Sequence, residues 1–460
     1  MRTRALKLIL VAAATLRFSL LASAWRSPDR LLTPDSTGYV ELSNALTESG
    51  EFRLEGRPEI FRTPGYPFFL IAGLPSTGFS PQAVAALQIA VDVLLVYLTF
   101  LLGMVVCGER VGLWAAAFQA INPVAIASSV RILSDGLFAF LLTMSVLLLV
   151  LHLRTGRWWS LICSSVAAAV SCYVRPAGLL FVPVCLLLLV IRRVIEAIRR
   201  RDARGAGAFL KPAVAAGVMA AMLAPWVVRN RLVADYWGFS SVWAEGAFGY
   251  QAPAVIAETQ GISLERARWT MEKMLAKTGL PPNPSPGDLV RAKQSCAREV
   301  LRENLWLHAS IHARGDLAVW SPAATDILEI AGVTTGRKGT LEVLRREGLW
   351  AAARHYFRGA TWALWPALPL VAVQAAGYLL ALAGALRHVR FRMDSSRWLM
   401  LVVVLLFAVV PGPAGHPRFQ APFVPILSIV AGAGVVWITR REGRSLVGGM
   451  RTGDREESKN

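Results

Sequence analysis

Residues 84–106 read VAALQIAVDVLLVYLTFLLGMVV, a run of 23 residues in which Asp92 is the one charged side chain. A membrane-spanning helix needs about 20 mostly apolar residues, so this run is long enough to cross a bilayer. Similar apolar runs recur along the chain, at 1–25, 112–130, 133–153, 159–174, 177–195, 211–228, 360–386, 398–411 and 421–439. The sequence therefore predicts an all-α membrane protein of about ten transmembrane helices.

Charge and composition predict the orientation of these helices. The chain of 460 residues is 55% hydrophobic and carries a formal net charge of +19. Its arginines are spread over short loops, as positive charge is on the cytoplasmic side of membrane proteins, and not gathered in one nucleic-acid-binding domain. The main loop arginines are Arg192, Arg193, Arg199, Arg200, Arg201, Arg204, Arg387, Arg390, Arg392, Arg397, Arg440, Arg441 and Arg444. We expect a multi-pass bacterial inner-membrane protein with both termini cytoplasmic and no nucleic-acid partner.

This orientation leaves two long segments outside the cytoplasm, and they define the predicted organisation. Residues 1–230 form an N-terminal transmembrane module, which includes a large first outer loop at 25–83. A helical extracytoplasmic insert follows at 231–357. The C-terminal transmembrane helices occupy 358–440, and a charged cytoplasmic tail occupies 441–460.

Short helices are predicted in both outer segments. The spacing from Tyr39 to Leu46 indicates an amphipathic helix at the interface. The stretch from Tyr66 to Gly73 is apolar but too short to span. In the insert, Ser263 is expected to cap a helix that ends at Gly279, and a second helix is expected from Asp288 to Arg314.

Ionisable side chains near the ends of spans are costly to insert, so the places where they gather indicate function. Under the predicted topology they gather at the outer ends of helices: Asp35, Asp92, Arg131, Asp135, Arg175, Arg229, His416 and Arg418. This grouping predicts an extracytoplasmic pocket that mixes acids with arginines. Transporters more often place such groups at the bilayer midplane on broken, repeated helices, a pattern that this sequence does not show.

Several short motifs follow one another along the chain. They are Thr33-Pro34-Asp35-Ser36-Thr37-Gly38-Tyr39, Thr63-Pro64-Gly65-Tyr66-Pro67, Leu133-Ser134-Asp135, Arg175-Pro176-Ala177-Gly178, Pro225-Trp226-Val227-Val228-Arg229-Asn230 and His416-Pro417-Arg418-Phe419-Gln420-Ala421-Pro422. In order and placement the set resembles the GT-C class of integral-membrane glycosyltransferases, which includes protein mannosyltransferases and lipid A aminoarabinose transferases. The resemblance covers about residues 1–230 and 357–439 and leaves the insert unmatched.

The resemblance implies an inverting glycosyltransferase that moves one hexose or pentose from a polyprenyl-phosphate donor to an extracytoplasmic acceptor, which is a lipid, a glycan or a protein. Asp35 is the implied catalytic base, since a carboxylate beside an acceptor hydroxyl can take its proton. Asp135 is the implied second acid, in contact with the acceptor or a metal. The implied contacts of the donor phosphate are Arg175, Arg229, His416 and Arg418.

The resemblance implies no organic cofactor, but it leaves room for a divalent metal, Mg²⁺ or Mn²⁺, at Asp35 and Asp135. Some relatives carry two adjacent acids in the first outer loop, whereas Ser36 follows Asp35 here. A two-carboxylate metal site would therefore draw its second ligand from Asp135.

Each acid also has an ordinary structural alternative. Asp35 could cap the helix that follows it, which aspartate does well. Asp135 could likewise cap a helix, or it could pair with Arg131. Asp92 and Arg17 could neutralise each other inside the bundle.

The basic residues have alternatives as well. Arg175 and Arg229 could extend to outer lipid headgroups. His308 and His312, four residues apart and followed by Asp316, would share one face of a helix and could bind zinc, but a third ligand at the correct reach is not evident. An exposed helix face explains this group more simply.

Two other classes of function stay open from the sequence. A polytopic transporter or flippase would move its substrate without breaking a bond, and charges at both faces would matter equally. A non-catalytic assembly protein of envelope polysaccharide synthesis would tolerate replacement of Asp35.

Overall fold

The computed structural model describes residues 2–73, 79–200, 209–333, 343, 347–356, 361–389 and 394–453. Over these residues the chain is helical apart from turns and one small hairpin, β1 (Arg53–Leu54) with β2 (Arg57–Pro58). The predicted all-α class is confirmed. Four of the arginines that predict the orientation lie outside the described residues: Arg201, Arg204, Arg390 and Arg392.

The helices of the N-terminal half are α1 (Arg2–Ser23), α2 (Pro34–Ser49), α3 (Gly65–Ala72), α4 (Pro81–Cys107), α5 (Glu109–Ile121), α6 (Pro123–Val130), α7 (Asp135–Thr155), α8 (Trp158–Val174), α9 (Phe181–Arg200) and α10 (Leu210–Ala234). Those that follow are α11 (Val242–Gly246), α12 (Ala252–Gln260), α13 (Leu264–Ala276), α14 (Pro286–Glu303), α15 (Leu305–Val319), α16 (Ala324–Ile330), α17 (Leu349–Tyr356), α18 (Leu364–Val389), α19 (Ser395–Val409) and α20 (Val424–Gly453). Short 3₁₀ turns include Pro176–Leu180, Gly412–Ala414 and Pro417–Gln420.

Six helical segments in the described part of the chain are long and apolar enough to cross a membrane: Thr3–Ser23, Pro81–Cys107, Asp135–Thr155, Pro176–Ile198, Leu210–Ala234 and Leu364–Leu386. The pair α5 and α6 counts as a seventh if it is one bent span, and three shorter apolar helices are Trp158–Val174, Ser395–Val409 and Val424–Thr439. Each predicted run overlaps one of these segments. The multi-pass membrane class is confirmed, while the figure of about ten spans stays a prediction, as do the domain boundaries.

The predicted run 112–130 is broken in the middle. α5 and α6 meet at an angle of 56°. Pro123 lacks the N–H group that a continuing helix would need. Asn122 begins the new helix, because its Oδ1 accepts hydrogen bonds from the backbone N–H groups of Val124 at 2.9 Å and Ala125 at 3.2 Å. The break turns the chain toward the start of α7.

Helix packing joins the two ends of the chain. α4 packs against α5 and α7, α7 packs against α8, and α20 packs against both α18 and α5. Between α1 and α4, Arg17 and Asp92 form an ion pair with both side chains buried. Their mutual neutralisation, one of the alternatives from the sequence, is therefore confirmed, and neither residue reaches the cavity described below.

The first outer loop folds onto the bundle. The predicted amphipathic helix is longer than expected and forms α2, while the short apolar stretch forms α3, whose eight residues do not span a membrane. Tyr39 of α2 and Tyr66 of α3 meet edge to face, with ring centroids 4.9 Å apart. The Tyr66 hydroxyl donates to Gln88 of α4 at 2.5 Å, which fixes the loop against a transmembrane helix.

The insert has a small core of its own, built by α12 to α15 around Ile256, Met271 and Ala297. Ser263 caps α13 as predicted, accepting from the N–H of Arg266 at 3.2 Å. The single helix expected from Asp288 to Arg314 is wrong, since Asn304 ends α14 and begins α15. The Asn304 side chain donates to a carbonyl one turn earlier, and asparagine competes in this way with the regular helical pattern.

Candidate active site

A cavity of about 810 Å³ opens at one end of the helix bundle. Its walls come from α2, the start of α7, the turn at Arg175, helix α16 of the insert and the segment 410–422. Six of the eight ionisable residues that the sequence places in a pocket line it: Asp35, Arg131, Asp135, Arg175, His416 and Arg418. Asp35 and Arg418, which are 383 positions apart in the chain, thus line the same cavity.

Asp35 faces the cavity from the first turn of α2. The cap of α2 is Thr33, whose backbone N–H donates to the Ser36 hydroxyl at 2.9 Å in a capping box, so Asp35 is not the cap. Its Oδ2 accepts a hydrogen bond from Nη2 of Arg418 at 2.7 Å. Half of the Asp35 side chain stays exposed to the cavity, which leaves an oxygen within reach of a ligand.

Three arginines act on the Asp35 carboxylate. Partial burial raises its pKa, but the charge and hydrogen bond of Arg418, with the charges of Arg62 and Arg175, outweigh that effect. The net result is a pKa below the ordinary value of an aspartate. Asp35 is therefore ionised at neutral pH and sits where arginines converge.

Arg62 is the arginine that the sequence analysis did not single out. Its guanidinium lies 5.3 Å from the ring centroids of both Tyr39 and Phe61. A Cβ atom on Gly38 would lie 2.5 Å from Arg62 Cζ, so the glycine lets the guanidinium rest on α2. The sequence feature that pointed to Arg62 is its position directly before the motif that begins at Thr63.

Replacing Gly38 by alanine is expected to push the Arg62 guanidinium away from the cavity. If Arg62 contacts an anionic ligand, the loss of one charge-assisted hydrogen bond weakens binding of that ligand by about tenfold. Binding of polyprenyl phosphate to the purified variant measures the effect. Gly217→Ala is the matched control, because a Cβ there meets nothing within 4 Å. Equal affinity in G38A and wild type would contradict a binding role for Arg62.

Asp135 and Arg175 form a second acid–arginine pair. Asp135 begins α7 with only 2% of its surface exposed, and its carboxylate is ion-paired with Arg175. The alternative partner, Arg131, is therefore wrong. The Arg175 guanidinium lies 5.2 Å from the ring centroid of Phe419, and that of Arg418 lies 5.1 Å from the same ring. Phe419 thus brings two arginines together inside the cavity, and Arg175 does not extend to lipid.

Arg229 lies outside the cavity. Its two terminal nitrogens donate to the backbone carbonyls of Glu59 at 2.7 Å and Phe52 at 2.8 Å. Its guanidinium also lies 4.8 Å from the ring centroid of Trp226. The donors of Arg229 thus tie the first outer loop to α10, and the structure does not bring it together with the other arginines.

The insert contributes a wall that the sequence analysis missed. Asp326 and Glu329 of α16 face Arg131, whose Nη2 lies 3.4 Å from Asp326 Oδ1 and 2.7 Å from Glu329 Oε2. His416 Nε2 lies 4.0 Å from Asp326 Oδ1. The Tyr356 hydroxyl donates to Glu329 Oε1 at 2.6 Å. The sequence feature that pointed to this wall is the spacing of Asp326 and Glu329, since acids three residues apart lie on one face of a helix.

Burial shifts the titration of this wall. It raises the pKa of Asp326, and the interactions of that carboxyl with His416 and Arg131 do not fully offset the rise. Burial also lowers the pKa of His416, together with the charges of Arg418 and Arg131, so the imidazole is neutral at pH 7. This wall therefore differs from the surroundings of Asp35, where arginines dominate.

A close contact between the insert and the bundle holds the segment that carries His416 and Arg418. His312 Nε2 hydrogen-bonds with the Val409 carbonyl at 2.7 Å, and the Gly412 N–H donates to Asp316 at 2.8 Å. Gly315 makes this approach possible, because a Cβ there would overlap the Gly412 carbonyl. His312, which the sequence predicts on an exposed helix face, is thus packed between the insert and the bundle.

The two acids of the resemblance do not fit a metal site in this arrangement. Asp35 faces Arg418 and Asp135 faces Arg175, so a cation between the acids would meet two guanidiniums. No group of three or more histidine, cysteine, aspartate or glutamate residues arranged for a metal occurs in the described part of the chain. The charged arrangement suits an anionic ligand better.

No family model matches the sequence, and no curated protein sequence matches it. Solved structures do match. The archaeal oligosaccharyltransferase AglB from Archaeoglobus fulgidus, in complex with an inhibitory peptide and a dolichol-phosphate, aligns with 96% of this chain and 52% of its own at a TM-score of 0.52 and 15% identity. The Archaeoglobus fulgidus oligosaccharyltransferase in complex with Zn and sulfate aligns with 97% of this chain and 51% of its own, at 0.51 and 14%.

A third match, ArnT from Cupriavidus metallidurans bound to undecaprenyl phosphate, covers 93% of this chain and 77% of its own at 15% identity, but its TM-score of 0.42 is too low to show a shared fold. The oligosaccharyltransferase matches show a shared fold and no more at their level of identity. This chain spans about half the length of those proteins. At the level of fold, the resemblance found in the sequence is confirmed.

Proposed function

We propose that this chain, which has the fold of the archaeal oligosaccharyltransferases, is a membrane glycosyltransferase that takes a hexose or a pentose from a polyprenyl-phosphate donor. The observation that carries the proposal is the convergence of Arg62, Arg175 and Arg418 on the half-exposed Asp35 in one cavity. A carboxylate can serve as base and an arginine cluster can bind a phosphate, and transfer from a phosphate donor needs both. The acceptor is a lipid, a glycan or a protein.

Binding of the donor would activate the base. Arginine donates two parallel hydrogen bonds to phosphate oxygens, so the donor phosphate competes with Asp35 for Arg418. As the phosphate neutralises the arginines, Asp35 loses the interactions that lower its pKa, and its affinity for a proton rises. The free arginine cluster thus keeps Asp35 a weak base until the donor arrives.

The transfer step then balances as a single displacement. Asp35 takes the proton of the acceptor hydroxyl as that oxygen bonds to the anomeric carbon. The bond from the anomeric carbon to the phosphate oxygen breaks, and its electron pair leaves on the polyprenyl phosphate. Arg418 and Arg175 stabilise that negative charge, and attack from the face opposite the phosphate inverts the anomeric configuration.

We place the acceptor against the wall formed by Asp326 and Glu329. Carboxylates accept hydrogen bonds from hydroxyl groups. The two acids line the same cavity as Asp35, but the arginine paired with them is Arg131. The insert therefore supplies the acceptor side, and the bundle supplies the donor side. This scheme does not require a metal ion, because the arginines supply the positive charge that stabilises the leaving phosphate.

A second, apolar cavity would hold the lipid tail of the donor. It has a volume of about 480 Å³ and lies between α18, α19 and α20. Val404 of α19 lines it, whereas Phe407, one turn further along α19, lines the cavity that contains Asp35, here called the charged cavity. On α20 and the segment before it, Ile426 lines the apolar cavity and Pro422 the charged one. A polyprenyl chain in the apolar cavity would therefore end with its phosphate near the arginines.

Filling the apolar cavity is expected to weaken binding of long-chain donors selectively. In A385F a ring enters the cavity, and excluding two methylene groups of the tail costs about 1.6 kcal/mol, or about tenfold in affinity. A prenyl phosphate of one isoprene unit should bind A385F and wild type equally. Leu379→Phe is the matched control, since Leu379 lies on the same helix, is 68% exposed and does not line the cavity. A385F with unchanged affinity for the long-chain donor would contradict this placement.

We propose that the cavity opens outside the cytoplasm of a bacterial inner membrane, with both termini cytoplasmic. The loop arginines support this, since Arg192 and Arg193 stand near the end of α9 that is far from the cavity. Arg4 likewise begins α1, whose other end leads into the loop that carries Asp35.

The function is tested by incubating the purified chain with a panel of polyprenyl-phosphate hexoses and pentoses and a bacterial envelope extract as the source of acceptor. Release of polyprenyl phosphate from one donor, dependent on the extract, is the expected result. No release from any donor in the presence of the extract would contradict the proposal and favour an assembly role.

A further inference from the structure

A small pocket of about 100 Å³ lies at the opposite end of the bundle from the charged cavity. α7 connects the two sites, because Asp135 at its start lines the cavity and His152 near its end lines the pocket. Asp135 and His152 are 17 residues apart, which is about 26 Å along a helix, so the two sites are separated by nearly the thickness of a bilayer core. The pocket is thus at the other membrane face.

Cations converge on this pocket from two further helices. Arg192 and Arg193 of α9 and Lys211 of α10 line it, and Glu196 is the acid among the described lining residues. Three positive charges and one negative charge leave a formal excess of two positive charges, with His152 counted as neutral. Glu196 accepts from Arg192 Nε and from Arg193 Nη1, both at 2.8 Å, so one carboxylate serves two guanidiniums.

Two of the cations also meet backbone carbonyls at the end of α7. Lys211 Nζ donates to the Gly156 carbonyl at 3.1 Å, and Arg192 donates to the Leu153 carbonyl. These contacts orient the side chains but do not neutralise them. Excess charge at the edge of an apolar bundle is costly unless an anion offsets it. The two arginine side chains keep 34% and 28% of their surface exposed, so a ligand can reach them.

We propose that this pocket binds a phosphate group, as carried by the headgroup of an anionic phospholipid at the membrane face opposite the charged cavity. Two guanidiniums and an ammonium around a volume of this size offer the paired and single donors that phosphate oxygens accept. The general excess of arginine at this face orients the protein, but it does not require three cations to line one pocket. The site does not depend on the proposed transferase activity.

The test measures thermal unfolding of the full chain in a neutral detergent while dihexanoyl phosphatidylglycerol is added. Saturable stabilisation of the wild type is expected, and dihexanoyl phosphatidylcholine, whose choline offsets the phosphate charge, should stabilise it less. Each charge is worth about fivefold in affinity, so the double variant R193Q/K211Q should bind phosphatidylglycerol about 25-fold more weakly. Should the double variant fail to fold, R193Q alone is expected to bind about fivefold more weakly.

The matched control is the double variant R4Q/K7Q. It removes two exposed positive charges from the start of α1, at the same end of the bundle but away from the pocket, and should bind as the wild type does. A parallel titration with inorganic phosphate separates the two sources: saturation shows that the phosphate group suffices, and its absence assigns the site to the lipid headgroup. No saturable stabilisation by either ligand, or equal loss in both double variants, would overturn the proposal.

Discussion

Asp35→Asn is expected to lower kcat for glycosyl transfer by about 10²–10⁴-fold while the chain stays folded, because a positioned general base contributes a factor of that size. The substitution keeps the size of the side chain and removes its ability to take a proton. Polyprenyl phosphate released per enzyme and minute, at saturating donor and acceptor, measures the effect.

The structure explains why this variant should fold. Thr33 and Ser36 cap α2, so Asp35→Asn removes no cap, and the lost contact is a half-exposed ion pair with Arg418 worth about 1 kcal/mol or less. Asp29→Asn is the matched control, because Asp29 is an exposed acid in the same loop that does not line the cavity. A D35N variant with more than a third of wild-type kcat would exclude Asp35 as the base.

Arg418→Gln is expected to lower kcat/KM for the donor by about 10²–10³-fold, the usual cost of removing one donor to a developing negative charge. Arg418→Lys should recover part of this loss, because lysine keeps the charge but not the paired hydrogen bonds. Initial rates over a range of donor concentrations separate the effects on kcat and KM.

The matched control for Arg418 is Arg229→Gln. Arg229 lies outside the cavity and donates to the carbonyls of Glu59 and Phe52, so its loss should lower thermal stability and leave the donor KM unchanged. If R229Q raised the donor KM as much as R418Q does, the placement of the phosphate among Arg62, Arg175 and Arg418 would be wrong.

The same pair predicts a pH dependence. The arginines lower the pKa of Asp35 in the free protein, so kcat/KM falls only when pH drops below 3.8, the ordinary value for aspartate. The ion pair likewise contributes stability above the unfolded-state pKa, and that contribution is lost as pH falls through the lower folded-state pKa. In R418Q the acid limb of kcat/KM should move to higher pH. An acid limb that is the same in both proteins would show that Asp35 does not titrate under the control of Arg418.

The bundle and the donor side of the site could be predicted from the sequence, because apolar runs and ordered motifs are local signals. Asp35, Asp135, Arg175 and Arg418 lie in such motifs and do meet in one cavity. Their pairing could not be predicted, since Asp35 and Arg418 are brought together by the packing of α20 against α5 and of the insert against the segment at Gly412.

The acceptor wall was missed for a different reason. Asp326 and Glu329 belong to a segment that no motif covers, and an acidic pair on an isolated helix reads as an ordinary solvated face. Only the fold brings Arg131 to them from the end of α6. Arg229 shows the opposite case, in which a motif residue has a clear sequence signal but the fold uses its donors on backbone carbonyls.

The central claim, that the chain breaks a sugar–phosphate bond, is tested most directly with a donor that carries one label in the sugar and another in the phosphate. The purified chain is reconstituted in vesicles with envelope extract, and the two labels are followed after separation of the lipids. We expect the wild type to separate them, with the sugar label on the acceptor and the phosphate label on the polyprenyl lipid, and D35N to leave them joined. If the wild type instead moved both labels across the bilayer on one intact molecule, the chain would be a flippase, which contradicts cleavage of the sugar–phosphate bond.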